Sequence, residues 1–136
     1  GLFGGPLYTL HKAITAIKLA RQVTATHGVP AVPVFWIDSE DHDWEEVRRC
    51  TVLDDEYTPH TVTAADVAGA GELPIARLTL DESIHAAVDA LAAMLPATEF
   101  TADLVDRVRA TYRPGRGMAE AFGALLDHVL GPYGLV

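Results

Sequence analysis

The sequence predicts a single α/β domain with an open, mostly parallel sheet flanked by helices. Stretches with one apolar face at helical spacing alternate with short apolar runs along the chain. The run from Ala31 to Ile37 is apolar throughout, as in a strand buried on both faces of a parallel sheet, although Pro33 hints at an edge or a bulge. Ligands bind beyond the carboxyl ends of such strands, so the residues after Ile37 are the first place to seek a site.

Periodicity and breaking residues define the other expected elements. Each helix is expected to bury one apolar stripe, such as Leu10, Ala13, Ile14, Ile17 and Ala20 in the first helix and Phe122, Leu125, Leu126 and Val129 in the last. In chain order the expectations are a loop at 1–6, a helix at about 7–26, a helical turn at 44–48, a strand at 49–53, a hairpin or loop at 54–71, a strand at 74–80, helices at 81–95, from 98 or 101 to about 112 and at 118–130, and a return to a strand at 134–136.

Composition limits the class of protein. A length of 136 residues suits one domain, and 49% apolar residues with a mean hydropathy of +0.16 are enough for a packed core. No apolar run approaches the roughly 20 residues that span a bilayer, and the single cysteine suits a reducing compartment, so we expect a cytoplasmic protein without membrane contact. The net charge of −9 argues against a nucleic-acid partner. Both ends look cut, which predicts a domain excised from a longer protein.

The first candidate site is the polar run that leaves the expected strand, from Ser39 to Asp43. Neighbouring carboxylates raise one another's pKa and push a histidine towards its charged form, which suits acid–base chemistry or cation binding. The aromatic residues Trp36 and Trp44 flank the run, as in many pockets. The alternative is a solvated loop in which Asp43 caps the helical turn that begins at Trp44.

The second candidate is the glycine-rich loop at 1–6. Glycines let backbone amides approach an anion, and the start of the next helix adds a favourable dipole. Tyr8 and Lys12 lie one helical turn apart and could face the same ligand. The spacing matches neither a Walker loop nor a dinucleotide-binding fingerprint, and a simple tight turn into a helix is the alternative.

The third candidate is the loop with Arg113 and Arg116, which could clamp a carboxylate or phosphate. An exposed turn between helices is the alternative. The other histidines lack metal-ligand spacing and are interpreted as surface or packing residues. Cys50 is expected to pack in or beside a strand.

Several segments occur in an order that is typical of one known family. The most specific is a Phe-Trp strand followed by Glu-Asp-His-Asp, within residues 33–46. The others are Gly1–Thr9, the helix with Lys12 and Lys18-Leu19-Ala20, Tyr112–Gly115 and Gly131–Leu135. Together these segments resemble the bacillithiol biosynthesis cysteine-adding enzymes, the BshC family.

The resemblance implies a Rossmann-like core and an enzyme that adds L-cysteine to the amino group of glucosaminyl-malate, the last step towards the thiol bacillithiol. Family members are several times longer and include a coiled coil, so the present chain would be their early core and inactive alone. Glucosaminyl-malate and cysteine are the implied partners, and a homodimer through absent segments is an expectation. The need for ATP or another nucleotide stays open, and no metal ligand is assigned.

The resemblance also suggests roles for the candidate residues. His42 would handle a proton, either by deprotonating the sugar amine or by orienting the substrate. Glu40, Asp41 and Asp43 would tune it or hold an ammonium group. The substrate-binding candidates are Gly4, Gly5, Tyr8 and Lys12 at an anion end, Arg113 and Arg116 as carboxylate clamps, and Trp36 and Ser39 beside them.

Two other functions compete with this interpretation. A metal-dependent phosphoesterase or nucleotidyltransferase-like domain would use Asp41, His42 and Asp43 as ligands. A non-catalytic module would use the acidic run to dock a basic partner.

Overall fold

Five α-helices and one β-hairpin make up the fold in the computed structural model, which describes residues 1–136. In chain order they are α1 (Leu7–His27), α2 (Trp44–Val47), β1 (Arg49–Leu53), β2 (Pro59–Thr63), α3 (Ile84–Met94), α4 (Thr101–Thr111) and α5 (Met118–Leu130), with 3-10 turns at Leu2–Gly4, Ile75–Arg77 and Gly131–Tyr133. The mixed helix and strand class is confirmed. The sheet has two antiparallel strands, so the open, mostly parallel sheet is not confirmed.

The helices follow the sequence pattern closely, because amphipathic periodicity and capping residues act locally. α1 ends where Gly28 adopts the left-handed conformation, with φ of 65°, and its amide donates to the carbonyl of Thr24. α5 begins and ends at the predicted residues. Two residues expected inside are more exposed than predicted: Ile14 on α1 at 39% and Val129 on α5 at 37%.

The hairpin confirms the strand at 49–53 and places its partner within the expected hairpin or loop. Arg49 pairs with Thr63 and Leu53 with Pro59. Asp54 holds the turn, since its carboxylate accepts the Glu56 and Thr58 amides, both at 2.9 Å. The backbone hydrogen bond from Thr58, followed by the side-chain hydrogen bond with His60, lowers the pKa of Asp54.

The strand expected at 74–80 is wrong. Residues 75–77 form a 3-10 turn, and only Thr79 makes a β-bridge, to Gly117. The backbone amides of Ile75 and Ala76 instead donate to the carbonyls of Asp41 and Ser39, both at 2.8 Å. These hydrogen bonds place residues 75–76 against the polar run. The alternating pattern of residues 74–80 did not predict them.

The segment 31–37 is extended but is not buried on both faces as predicted. Its single pairing is with Val136, whose amide donates to the Pro33 carbonyl and whose carbonyl accepts the Phe35 amide, at 3.0 and 2.8 Å. One residue bonded to two residues that flank Val34 is the pattern of a parallel pair. Phe35 packs inwards, whereas Val34 is 59% exposed and its backbone makes no hydrogen bond.

The apolar core lies around α5, which contacts α4 and three 3-10 turns. The larger buried cluster joins α3, α4, α5 and the hairpin, and includes Leu2 at 0% exposure. A smaller cluster joins α1 to the other face of α5 through Ala13, Ile17 and Phe122. α5 therefore connects the start of the chain to both halves of the core.

Candidate functional site

The glycine-rich loop is tightly folded and held from within the domain. Leu2 is fully buried, and the Gly5 amide donates to its carbonyl at 3.0 Å. Three consecutive residues have positive φ: Phe3 at 51°, Gly4 at 100° and Gly5 at 70°. Such angles favour glycine, which explains the residue type at two of the three positions and marks Phe3 as strained.

A buried tyrosine that the sequence analysis did not assign to the site contacts this loop. Tyr112, at the end of α4, is 0% exposed and donates its hydroxyl hydrogen to the Gly1 carbonyl at 3.1 Å. Its ring meets that of Phe3 edge to face, with centroids 5.0 Å apart and planes at 74°. The sequence offered one signal of this contact: the hydroxyl group of a tyrosine needs a hydrogen-bond partner when the residue is buried.

The start of the loop and the end of the extended segment line one cavity of about 230 Å³. Its walls are mainly apolar, and Asp38 brings the one carboxylate. The lining residues are Gly1, Phe35, Trp36, Ile37, Asp38, Val47, Ile75, Met118, Ala119 and Phe122. The structure therefore brings the glycine-rich loop next to the strand end, the two regions in which candidate sites were predicted.

A second groove adjoins the first, because Trp36 lines both. This groove has a volume of about 460 Å³ and is lined by Lys12, Ala16, Val34, Phe35 and Trp36. The Lys12 ammonium lies 4.6 Å from the centre of the Tyr8 ring, a cation–π contact. Trp36 is 81% exposed, so a large aromatic surface is available beside a cation.

The acidic run lies outside both cavities and faces solvent, with Asp41, His42 and Asp43 all exposed. Asp41 accepts the amides of His42 and Asp43 at 2.6 and 3.2 Å. Asp43 caps α2 by accepting the Glu46 amide at 3.0 Å. This agrees with the alternative interpretation of the run, a loop in which Asp43 caps the helical turn that begins at Trp44. The His42 side chain makes no hydrogen bond or ion pair, so it is free to contact another molecule or another part of the protein.

The backbone of the polar run is nevertheless held in place by hydrogen bonds. The carbonyls of Ser39 and Asp41 accept the amides of Ala76 and Ile75, and Trp44 of α2 is buried at 3% exposure. The Trp44 indole donates to Asp66 at 3.0 Å. His42 is thus displayed on a loop that is fixed at both ends, whereas Glu40 is simply exposed.

The two loop arginines differ in their surroundings. Arg116 donates to Glu120 at 2.8 Å, and this hydrogen bond lowers the pKa of Glu120. Arg113 is exposed and makes no ion pair. Neither arginine lines the two cavities described above.

No group of three or more histidine, cysteine, aspartate or glutamate side chains converges as a metal site would require. The rival interpretation, which used Asp41, His42 and Asp43 as ligands, gains no support from their geometry. Cys50 lies in β1 and packs against the core, as predicted, and burial raises its pKa. None of the helices has the length and apolar character needed to cross a bilayer.

The fold is of the mixed α/β class, and a cavity of about 230 Å³ lies beside its glycine-rich loop. A family profile described as the bacillithiol biosynthesis BshC N-terminal Rossmann-like domain matches residues 1–136. The chain therefore belongs to the BshC family, as its N-terminal domain, and the resemblance noted in the sequence is confirmed.

The names of similar proteins agree with this family assignment. Proteins named "Putative cysteine ligase BshC" from Heliobacterium modesticaldum and Salinibacter ruber are 38% and 39% identical over 136 and 139 residues, which cover 100% of this chain and 25% of each relative. The protein of the same name from Staphylococcus carnosus is 34% identical over 143 residues, 100% of this chain and 26% of the relative. The chain thus spans about a quarter of the length of these relatives.

Proposed function

We propose that residues 1–136 form one wall of the active site of a ligase that joins the carboxyl group of L-cysteine to the amino group of glucosaminyl-malate. The observation that carries this proposal is the family match over the whole chain. The cavity between the glycine-rich loop and Asp38, whose walls include both predicted regions, supports it. The names of the relatives supply the reaction class.

The groove with Lys12 and Trp36 suits the malate end of the substrate. Malate brings carboxylates, which need a cation or amide donors, and Lys12 is the cation in this groove. Tyr8, which Lys12 contacts, and Trp36, which lines the same groove, supply aromatic surface for the sugar. Gly4 and Gly5 keep side chains away from the loop, and Arg113 is the freer of the two proposed carboxylate clamps. Ser39 lies where the strand end meets the acidic run.

His42 is proposed as the group that handles the proton. The ammonium form of the sugar amine must lose a proton before its nitrogen can attack the cysteine carboxyl carbon, and a neutral imidazole can accept it. The C–N bond forms as one carboxyl oxygen leaves that carbon, so that one water is lost overall. Asp41 and Asp43 shape the loop that displays His42. In the proposed site they and Glu40 also flank His42 with negative charge, or hold the ammonium group before transfer.

The extended segment 31–37 is proposed as one strand of a parallel, Rossmann-like sheet that other parts of the longer protein complete. The parallel pairing of Val34 with Val136 supports one side of this sheet. On the other side, the backbone groups of Val32, Val34 and Trp36 make no hydrogen bonds, and all three side chains are exposed. The completed strand would place His42 and Asp38 at its carboxyl end, where α/β sheets bind ligands.

The full-length protein is also proposed to act in the cytoplasm, to use small-molecule substrates only, and to form a homodimer through segments outside residues 1–136. The residues described here should be inactive alone, because the second side of the sheet and the surroundings of His42 are open.

The function is tested by incubating the purified full-length protein with glucosaminyl-malate and cysteine, with and without ATP. Mass spectrometry should detect a product equal in mass to both substrates minus one water. Glucosaminyl-malate with an acetylated amine is the matched control and should give no product. No condensed product with or without ATP would contradict the proposal.

A further inference from the structure

The glycine-rich loop adopts its shape around one buried hydroxyl group. Tyr112 is separated from Gly1 by 111 positions in the chain, yet its hydroxyl donates to the Gly1 carbonyl at 3.1 Å. The residue is fully buried, and it does not line the cavity that Gly1 lines. Any effect of Tyr112 on a ligand must therefore pass through the loop.

The backbone conformation of the loop is unfavourable and requires stabilising contacts. Phe3, Gly4 and Gly5 have φ of 51°, 100° and 70°, and a free chain would rarely hold three such residues in succession. The Phe3 ring leans edge-on against the Tyr112 ring, which opposes relaxation of its strained backbone. Burial raises the pKa of Tyr112, while the amides of Gly4 and Phe3 beside the hydroxyl act in the opposite direction.

The direction of the Gly1 carbonyl matters for an anion. A carbonyl oxygen that faced the cavity would add a partial negative charge close to carboxylates bound in the adjoining groove at Lys12, whereas one bonded to a buried hydroxyl is turned towards the protein interior. We propose that Tyr112 is a positioning residue of the ligase: its hydroxyl turns the Gly1 carbonyl away from the cavity and holds loop 1–5 in the shape that accepts glucosaminyl-malate, whose carboxylates are proposed to lie in the adjoining groove at Lys12. This inference rests on the function proposed above.

The test uses the full-length protein with Tyr112→Phe, which removes the hydroxyl and keeps the ring that packs on Phe3. Loss of one hydrogen bond that orders a binding loop should raise KM for glucosaminyl-malate about fivefold and leave kcat within about twofold. Tyr133→Phe is the matched control, since the Tyr133 side chain is 57% exposed, and it should leave both constants unchanged. A purely structural role for Tyr112 would lower the melting temperature without a selective change in KM.

A second measurement separates the loop from the reaction. Amide hydrogen exchange at Phe3 and Gly4 should be about tenfold faster in Tyr112→Phe than in wild type or Tyr133→Phe. Unchanged exchange would overturn the inference, and so would faster exchange with an unchanged KM. If the wild-type protein makes no product, the proposed function fails, and calorimetric binding of glucosaminyl-malate to wild type and Tyr112→Phe takes the place of KM in the same comparison. Equal affinity of the two would overturn the inference.

Discussion

Two walls of the same cavity are held in place in different ways. The glycine-rich loop 1–5 is fixed from inside the domain, by the burial of Leu2 and by the hydrogen bond from Tyr112. The segment 31–37 is fixed on one side only: Phe35 packs inwards and bonds to Val136, while Trp36 is 81% exposed. We infer that residues 1–136 are sufficient to hold the glycine-rich loop in place. The extended segment, in contrast, depends on the rest of the protein for its second side.

The largest effect should come from removing the buried anchor of the loop. Leu2→Ala leaves a cavity in the larger core cluster and should lower the free energy of unfolding by about 2–5 kcal/mol. Leu7→Ala is the control, because Leu7 is 67% exposed, and it should cost about 0.5 kcal/mol or less. Urea unfolding followed by circular dichroism measures both. Equal losses would mean that the loop is not anchored to the core.

The next effect concerns the backbone of the loop. Gly5 has φ of 70° and ψ of −166°, a region that is almost closed to other residues, so Gly5→Ala should cost about 1–3 kcal/mol. Gly28 is a matched control, since its φ is also positive but its conformation is left-handed helical with open space around it. Gly28→Ala should cost about 1 kcal/mol. The same unfolding experiment compares them, and a smaller loss for Gly5→Ala would contradict the strained geometry.

The loop that follows the opposite wall and displays His42 should respond in activity and not in stability. His42→Ala in the full-length protein should reduce product formation at least about tenfold, the lower range for lost acid–base catalysis. Because His42 is exposed, the melting temperature should stay unchanged. His85→Ala, at an exposed residue of α3, is the control and should keep full activity. Unchanged turnover in His42→Ala would remove His42 from the mechanism.

The smallest effect tests the support of the Arg116 loop, which follows Tyr112. The hydrogen bond from Arg116 lowers the pKa of Glu120 in the folded protein, so the ionised form contributes stability above its unfolded pKa. That contribution is lost as the pH falls through the lowered folded value. The melting temperature of wild type should therefore drop more than that of Glu120→Gln between about pH 5 and pH 3. Glu99→Gln, at an exposed glutamate, should follow wild type; parallel curves for all three proteins would refute the coupling.

The sequence predicted the helices well and the extended regions poorly, for a physical reason. The bounds of α5 and the buried stripe Ile84, Ala87, Val88 and Leu91 of α3 depend on local periodicity. Residues 74–80 failed because the amides of Ile75 and Ala76 bond to a segment more than 30 positions earlier, a contact that no local pattern encodes.

The candidate site shows the same contrast between local features, which the sequence predicted, and contacts between distant residues, which it did not. The glycine-rich loop, Trp36 and Lys12 were predicted from residue type and spacing, and in the structure Gly1, Trp36 and Lys12 line two cavities that share Phe35 and Trp36. The hydrogen bond from Tyr112 to the loop was not predicted, because its partner Gly1 lies 111 positions away. The cap that Asp43 forms on α2 was predicted as an alternative from the sequence, whereas the hydrogen bonds from the His42 and Asp43 amides to the Asp41 carboxylate were not anticipated.

Amide hydrogen exchange in residues 1–136 and in the full-length protein tests the comparison of the two walls most directly. We predict that the Gly5 amide is protected in both, because the Leu2 carbonyl accepts it within the domain. The amides of Val32, Val34 and Trp36 should exchange freely in residues 1–136 and become protected in the full-length protein, where a further strand pairs with them. Equally fast exchange of these three amides in both proteins would contradict the account.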